Sequence, residues 1–407
     1  MKAVTGGVCA AKGFRAAGIH VGVKTHADWK KDVALIVSDV PCAAAGVFTR
    51  NVVKAAPVRV DIAHLQNGRA RAVIANSGNA NACAPHGEEY AERMCAAAAD
   101  AVGCAPEDVL VSSTGVIGQT LNIAAIEEGV PSLYAALSDT PEASDAAAHA
   151  IMTTDSVKKE AAVETLIDGK TVRLGGIAKG SGMIHPNMGT MLCFLTTDCA
   201  IAPDMIRAAL LEAVDVSFHR ISVDGDTSTN DSCIVLANGL AGNAEITEKN
   251  AAYAAFADAL RTLCVQLARE MASDGEGAKH LITCTVDGAA SVKSAETIAK
   301  SVISSTLMKA AIFGSDANWG RALCAMGYSG ETFDPEKVNV SFASAAGEIE
   351  VCRNGRGLPF DEDAAKRILT EHDVEIRITM AEGGASCTCW GCDITYDYIK
   401  INGDYRT

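Results

Sequence analysis

The sequence predicts an α+β fold built in layers. Two observations carry this expectation. Short apolar strands alternate with longer amphipathic helices, and no fixed-period repeat or low-complexity linker divides the chain. Composition supports it: 49% of the 407 residues are apolar, with Ala-rich stretches suited to close packing of helices on sheets. That length suffices for two domains or one large two-layer body with a well-buried core.

The elements follow in chain order. The opening stretch to Lys24 is broken by Gly and charge and lacks the apolar run of a secretory leader. "KDVALIVSDVPCAAAGVFTRN" reads as a strand, a turn at Pro41 and a second strand. "RARAVIANSGNANAC" is a buried strand at Ala72–Ala75 running into a polar Asn/Gly loop. "HGEEYAERMCAAAADAVG" has helical spacing and stops at Gly103, a C-terminal cap. "EDVLVSSTGVIG" is an apolar strand with Ser112, Ser113, Thr114 and Gly115 at its tip. "ETLIDGKTVRLGGIAKGSGMI" is a hairpin turning at Asp168-Gly169. "GMIHPNMGTMLCFLTTD" is a turn entering an apolar strand, and "NDSCIVLANG" and "KHLITCTVDG" are strands. "NAAYAAFADALRTLCVQLAREMASDGEG" is a long helix ending in a Gly-rich loop, and "SAETIAKSVISSTLMKAAIFG" is another helix.

Charge and cysteine usage narrow the function classes. A net charge of −15 opposes nucleic-acid binding, which needs clustered Lys and Arg. No run of about 18 apolar residues predicts a membrane span. The 15 cysteines are scattered through strand-like and helix-like segments, as buried small residues of a reducing, cytoplasmic setting. Cys387, Cys389 and Cys392 have C-x-C-x-x-C spacing with no second pair or nearby His, so no metal site is assigned. "DGDTSTNDSC" reads as a turn whose side chains bond to backbone rather than a metal loop. "GSDANWGR" leaves open whether Trp319 or Arg321 reaches a substrate.

Three loops carry candidate chemistry. A hydroxyl residue followed by Gly in "SSTGVIG" could offer an O–H and an N–H to a developing oxyanion. Taken alone, a helix N-cap is the commoner use of such residues. Lys179, set among Gly180 and Gly182, could pin an anionic group, although a lysine by itself is more often solvated. The Gly189-Thr190 step is sharper. The Thr190 hydroxyl could attack the preceding carbonyl, giving an ester by an N-to-O shift that water then cleaves. The freed α-amine, with a reference pKa of about 7.7–8.0, could then deprotonate its own hydroxyl.

These motifs together resemble the ArgJ family of ornithine acetyltransferases (glutamate N-acetyltransferases). The resemblance rests on "SSTGVIG", "MTTDS", "KGSGMIHPNMGTMLCFLTTD", "SVDGDTSTNDSC", "FGSDANWGR" and "WGCDITYDYIKINGDYRT", in family order along essentially the full chain. It implies self-cleavage between Gly189 and Thr190, giving an α chain of residues 1–189 and a β chain of residues 190–407 that stay associated as α2β2. It implies ping-pong transfer of acetyl from N-acetylornithine to glutamate through acetyl-Thr190. No metal or bound cofactor is implied, and some members also accept acetyl-CoA.

The resemblance carries roles to particular residues. Thr114 and Gly115 become the oxyanion-stabilising pair, reversing the N-cap preference. Lys179 becomes the ligand of the substrate α-carboxylate. Thr154 is preferred over Thr153 as the substrate-binding threonine of "MTTDS". Glu276 suits the cationic end of ornithine, and Asn402 and Thr407 close over the substrate. Gly189, Ser156 and Gly403 depart from the family's usual Ala, Thr and Ala. His185 is read as a loop residue and Cys193 as a strand residue, neither as base or nucleophile. The implied fold is a layered α/β/β/α sandwich resembling N-terminal-nucleophile hydrolases with different connectivity. Two other readings predict different behaviour: an amidase or aminopeptidase would pass acyl groups to water, and a silent scaffold would remain one uncut chain.

Overall fold

The computed structural model describes residues 1–24, 30–185 and 191–404. Gly189, Thr190 and Thr407 lie outside the described residues. The chain forms two compact units. The first comprises Met1–His219 and Asp226–Met271, the second Arg220–Gly225 and Ala272–Arg406.

In chain order the first strands are β1 (Lys2–Val4), β2 (Phe14–Ile19), β3 (Val33–Phe48), β4 (Arg69–Asn79), β5 (Val109–Val116), β6 (Lys159–Ile167), β7 (Lys170–Lys179) and β8 (Leu192–Thr197). They are followed by β9 (Ile221–Ser222), which belongs to the second unit, and β10 (Ser232–Ala237). Among the described residues the first unit's sheet runs β1-β6-β7-β8-β10-β3-β4-β5, with β2 also paired to β3. The helices α1 (Ala56–His64), α2 (Gly87–Val102), α3 (Ile123–Ala135), α4 (Pro141–Ile151), α5 (Pro203–Asp215) and α6 (Ala251–Ser273) accompany these strands.

Side-chain alternation along β3 explains its unbroken apolar run. Ala34 and Ile36 pack with Ala147, Ala148 and Ile151 of α4. Val33, Leu35 and Val37 pack instead with Met94, Cys95, Ile126 and Leu133 of α2 and α3. A strand buried on both faces has no polar face to alternate with. Asp168 and Gly169 both adopt positive φ, 51° and 74°, and close the β6–β7 hairpin as the sequence predicts.

The second unit's sheet runs β14 (Arg356–Gly357), β13 (Gly347–Arg353), β12 (Asn339–Ser344), β15 (Asp373–Thr379), β11 (Leu281–Ala289), β16 (Ala385–Cys392) and β9. Its helices are α7 (Val292–Ser304), α8 (Thr306–Phe313), α9 (Trp319–Gly327), α10 (Glu362–Leu369) and α11 (Tyr396–Asp404). Ile298 and Val302 of α7 join Ile282, Cys284, Ile376 and Cys389 of the sheet in its core. The expected α+β class therefore holds, with two mixed sheets and accompanying helices.

Three local expectations change. The segment around Pro41 is not a turn between strands, because β3 runs through it as one strand of 16 residues. Its pairing with β4 slips between Val37 and Cys42, and that bulge accommodates a proline without a ladder N–H. The buried strand read at Ala72–Ala75 extends over Arg69–Asn79. The segment read as one helix after Ser294 is two, α7 and α8. Ser305 takes extended dihedrals between them, and its hydroxyl accepts from the N–H of Met308.

Candidate functional site

In the first unit, Lys179 ends β7 as a nearly buried ammonium. Its Nζ lies 2.8 Å from Thr153 Oγ1 and 3.3 Å from Thr114 Oγ1. In the sheet order four strands lie between β7 and β5. The contact therefore joins strands that are not neighbours in the sheet.

Asp155 anchors this cluster. Its Oδ1 accepts from Lys159 Nζ at 2.6 Å and from the N–H of Gly180 at 2.8 Å. Its Oδ2 accepts from the N–H of Thr153 at 3.0 Å and lies 3.9 Å from Lys179 Nζ. Burial alone would raise this carboxyl, but the charges of Lys179 and Lys159 and these hydrogen bonds outweigh it and hold it below the usual range. Asp155 thus balances the lysines and fixes both Thr153 and the residue after Lys179.

Lys24 braces the same loop. Its Nζ donates to the carbonyls of Met152 at 2.8 Å and Lys31 at 2.9 Å. The backbone ahead of it wraps the buried Asp32, whose carboxylate accepts from the N–H groups of Val21, Gly22, Val23 and Lys24. Burial pushes the Lys24 ammonium down to about 8, with Asp32 opposing that shift.

Thr114 and Gly115 lie within β5, and the next helix is capped by Asn122. "SSTG" therefore caps no helix. Gly115 has φ 128°, and a Cβ there would come within 2.4 Å of the Gly78 carbonyl carbon. Close approach of β4 makes this position glycine. Polar side chains missed by the sequence reading hold the strand tips. Asn230 Nδ2 donates to the carbonyls of Ala80 and Ser113, and Ser113 Oγ donates to Asn76 Oδ1 at 2.6 Å. "DGDTSTNDSC" thus bonds to distant backbone as well as to itself. The density of Asn around β4 and before β10 was the available signal.

In the second unit, Asn402 of α11 donates to Glu276 Oε2 at 2.7 Å. Glu276 is buried. Its loop is fastened to the start of α11, because Thr395 Oγ1 donates to the carbonyl of Gly277 at 2.7 Å. Gly277 has φ 69°, and a Cβ there would press to 2.7 Å against that of Asp397. The structure thus joins by a hydrogen bond two residues that the resemblance gives as separate substrate ligands.

Other candidates resolve simply. Thr153, not the preferred Thr154, is the threonine that meets Lys179. Arg321 Nη1 donates to the carbonyl of Leu307, and Trp319 packs against the second core, so both act within the helical layer. Cys387 and Cys389 share one face of β16 while Cys392 takes the other, so the strand splits the three thiols. Among the described residues no three His, Cys, Asp or Glu side chains group as a metal site. Cys193 is fully buried, and burial holds its thiol well above the ordinary range. The His185 carbonyl accepts from Thr227 Oγ1 at 2.9 Å.

The first unit thus belongs to an α+β protein in which a nearly buried ammonium meets two threonine hydroxyls at the end of a strand of a mixed sheet. The particular family follows from comparison. Residues 15–407 match the model of the ArgJ family. The arginine biosynthesis bifunctional protein ArgJ of Symbiobacterium thermophilum is 52% identical, covering 100% of both chains. Arginine biosynthesis bifunctional protein ArgJ 1 of Clostridium acetobutylicum is 49% identical over 97% of this chain and 96% of its own. The crystal structure of arginine biosynthesis bifunctional protein argJ from Bacillus halodurans matches with a TM-score of 0.50 and 41% identity, over 52% of this chain and 98% of that one. The chain belongs to the ArgJ family.

Proposed function

We propose that this protein is an acetyltransferase of arginine biosynthesis that cuts itself between Gly189 and Thr190. It then moves acetyl from N-acetylornithine to glutamate. The observation that carries the reading is the placement of Lys179. Its ammonium lies beside Thr114 and Thr153, and it pairs in register with Leu192, two residues beyond Thr190. Full-length relatives at 52% and 49% identity, both named bifunctional ArgJ proteins, support it. The solved relative's chain is nearly all matched by about half of this one, as suits a two-chain product.

The chemistry runs through Thr190 Oγ. Attack on the Gly189 carbonyl gives an ester and frees the α-amine, and water then splits the ester. The amine takes the Oγ proton as Oγ attacks the acetyl carbonyl of N-acetylornithine. Thr114 Oγ1–H and the Gly115 N–H receive the oxyanion. Its collapse breaks the acetyl C–N bond, and the proton leaves with ornithine. The glutamate amine then attacks acetyl-Thr190, restoring the hydroxyl and giving N-acetylglutamate. Lys179 pairs with the α-carboxylate, with a threonine of "MTTDS" beside it. Glu276 takes the cationic end of ornithine, and Asn402 and Thr407 close over the substrate. No metal or bound cofactor enters these steps, and acetyl-CoA is a further donor to glutamate. The two chains remain together because β8 and β10 lie between β7 and β3 in one sheet. An α2β2 assembly in the cytoplasm completes the reading. Among the described residues no helix is long and apolar enough to cross a membrane.

Intact mass tests the first step, with a fragment beginning at Thr190 expected. Thr190→Ala leaves one uncut, inactive chain. Incubation with N-acetylornithine and glutamate should yield N-acetylglutamate. Acetate alone would instead indicate transfer to water, and an uncut, well-folded parent protein would sink the threonine mechanism.

A further inference from the structure

Asp231 is among the buried acids that the proposed mechanism does not use. Asp231 immediately precedes β10 and is fully buried. Its Oδ1 accepts from the backbone N–H of Met191 at 2.6 Å. The next residue, Ser232, donates its N–H to the Met191 carbonyl at 3.0 Å. Both backbone polar groups of Met191 are thus held from the entrance of β10, one of them by a side chain. The Met191 nitrogen is bonded to the carbonyl carbon of Thr190, so Asp231 grips the peptide that joins the nucleophile to its strand.

Such a grip answers a physical problem. Once the chain is cut, Thr190 is a chain terminus, and termini fray unless they are tied down. A nucleophile displaced by about 1 Å loses on the order of a hundredfold in rate. β8 begins only at Leu192, so sheet pairing of that strand starts two residues beyond the nucleophile. Asp231 extends the restraint to the 190–191 peptide bond.

We propose that Asp231 is a positioning residue for the N-terminal nucleophile, fixing the Thr190–Met191 peptide so that the new terminus stays aligned for acyl transfer. This rests on the reading of Thr190 given above. Burial pushes the Asp231 carboxyl well above the ordinary range, while the Met191 N–H and the Lys179 charge oppose that shift only in part.

The test compares Asp231→Asn and Asp231→Ala with the parent protein by intact mass, melting temperature, kcat, KM and the pH profile. Asparagine keeps a neutral oxygen for the Met191 N–H. It is expected to preserve cleavage, a kcat within about threefold, and the acid limb of kcat/KM. Alanine is expected to lower kcat roughly tenfold to a hundredfold with KM nearly unchanged. A parent-like kcat in the alanine variant overturns the proposal. So does an asparagine variant that loses activity or shifts the acid limb, because the charge would then matter rather than the grip. If the alanine variant fails to fold, the asparagine variant decides by the same criteria. A parent protein that is itself uncut and inactive sinks the Thr190 reading. A cut, active parent matched by the alanine variant sinks this inference alone.

Discussion

Lys179 Nζ lies 2.8 Å from Thr153 Oγ1, and the Thr153 N–H bonds at 3.0 Å to Asp155, which also faces that ammonium. One residue therefore has its hydroxyl on the lysine and its backbone on the lysine's counter-charge. Thr154 has no such hold on Lys179. Thr153→Val should raise KM for N-acetylornithine about tenfold, the scale of one hydrogen bond to a charged group. Thr154→Val should stay near the parent value. Steady-state kinetics on the two variants would return the role to Thr154 if their order were reversed.

Asp155 makes stability depend on acid. Its carboxyl titrates lower in the folded chain than in the unfolded one, where the reference is about 3.9. The unfolded state thus binds the proton more readily, and the stabilisation is present above that reference. It is lost as pH falls through the folded value. Melting temperature should fall more steeply below about pH 4 in the parent than in Asp155→Asn. That variant should be the less stable at neutral pH by about 3–5 kcal/mol, because two buried lysines lose the charge of this carboxylate.

Gly115→Ala places a Cβ 2.4 Å from Gly78 backbone at a φ of 128°. β5 must then move from β4, carrying with it the amide proposed to receive the oxyanion. The expected result is a loss in kcat of about a hundredfold, the range found when one oxyanion donor is removed. A variant with parent kcat would remove Gly115 from the oxyanion role.

Glu276→Gln keeps a carbonyl oxygen for the Asn402 amide and removes the charge. KM for N-acetylornithine should rise by at least about tenfold, while KM for glutamate, which lacks a cationic side chain, should change much less. Equal rises for both substrates would argue that Glu276 supports the fold of its loop rather than ornithine.

The sequence by itself determined the α+β class, the Asp168-Gly169 hairpin, the Gly103 helix stop and the strand that follows Thr190. Each depends on neighbouring residues: a side-chain period, a turn dipeptide or a cap. Motif content also named Thr114, Gly115, Lys179 and Glu276 before any contact was visible. Only the tertiary structure decided which of them meet. Lys179 reaches Thr114 across 65 residues, and Asn402 reaches Glu276 across 126. The first contact depends on the strand order of a sheet, the second on how the last helix meets a loop. Neither leaves a periodic trace in the chain. Asp231 and Asn230 were hidden for the same reason: within "TSTNDSC" they look like turn residues. Their partners, Met191, Ala80 and Ser113, are set by the pairing of β10 with β8 and by the tips of β4 and β5. Long-range pairing, not local propensity, turns those polar side chains into the frame of the site.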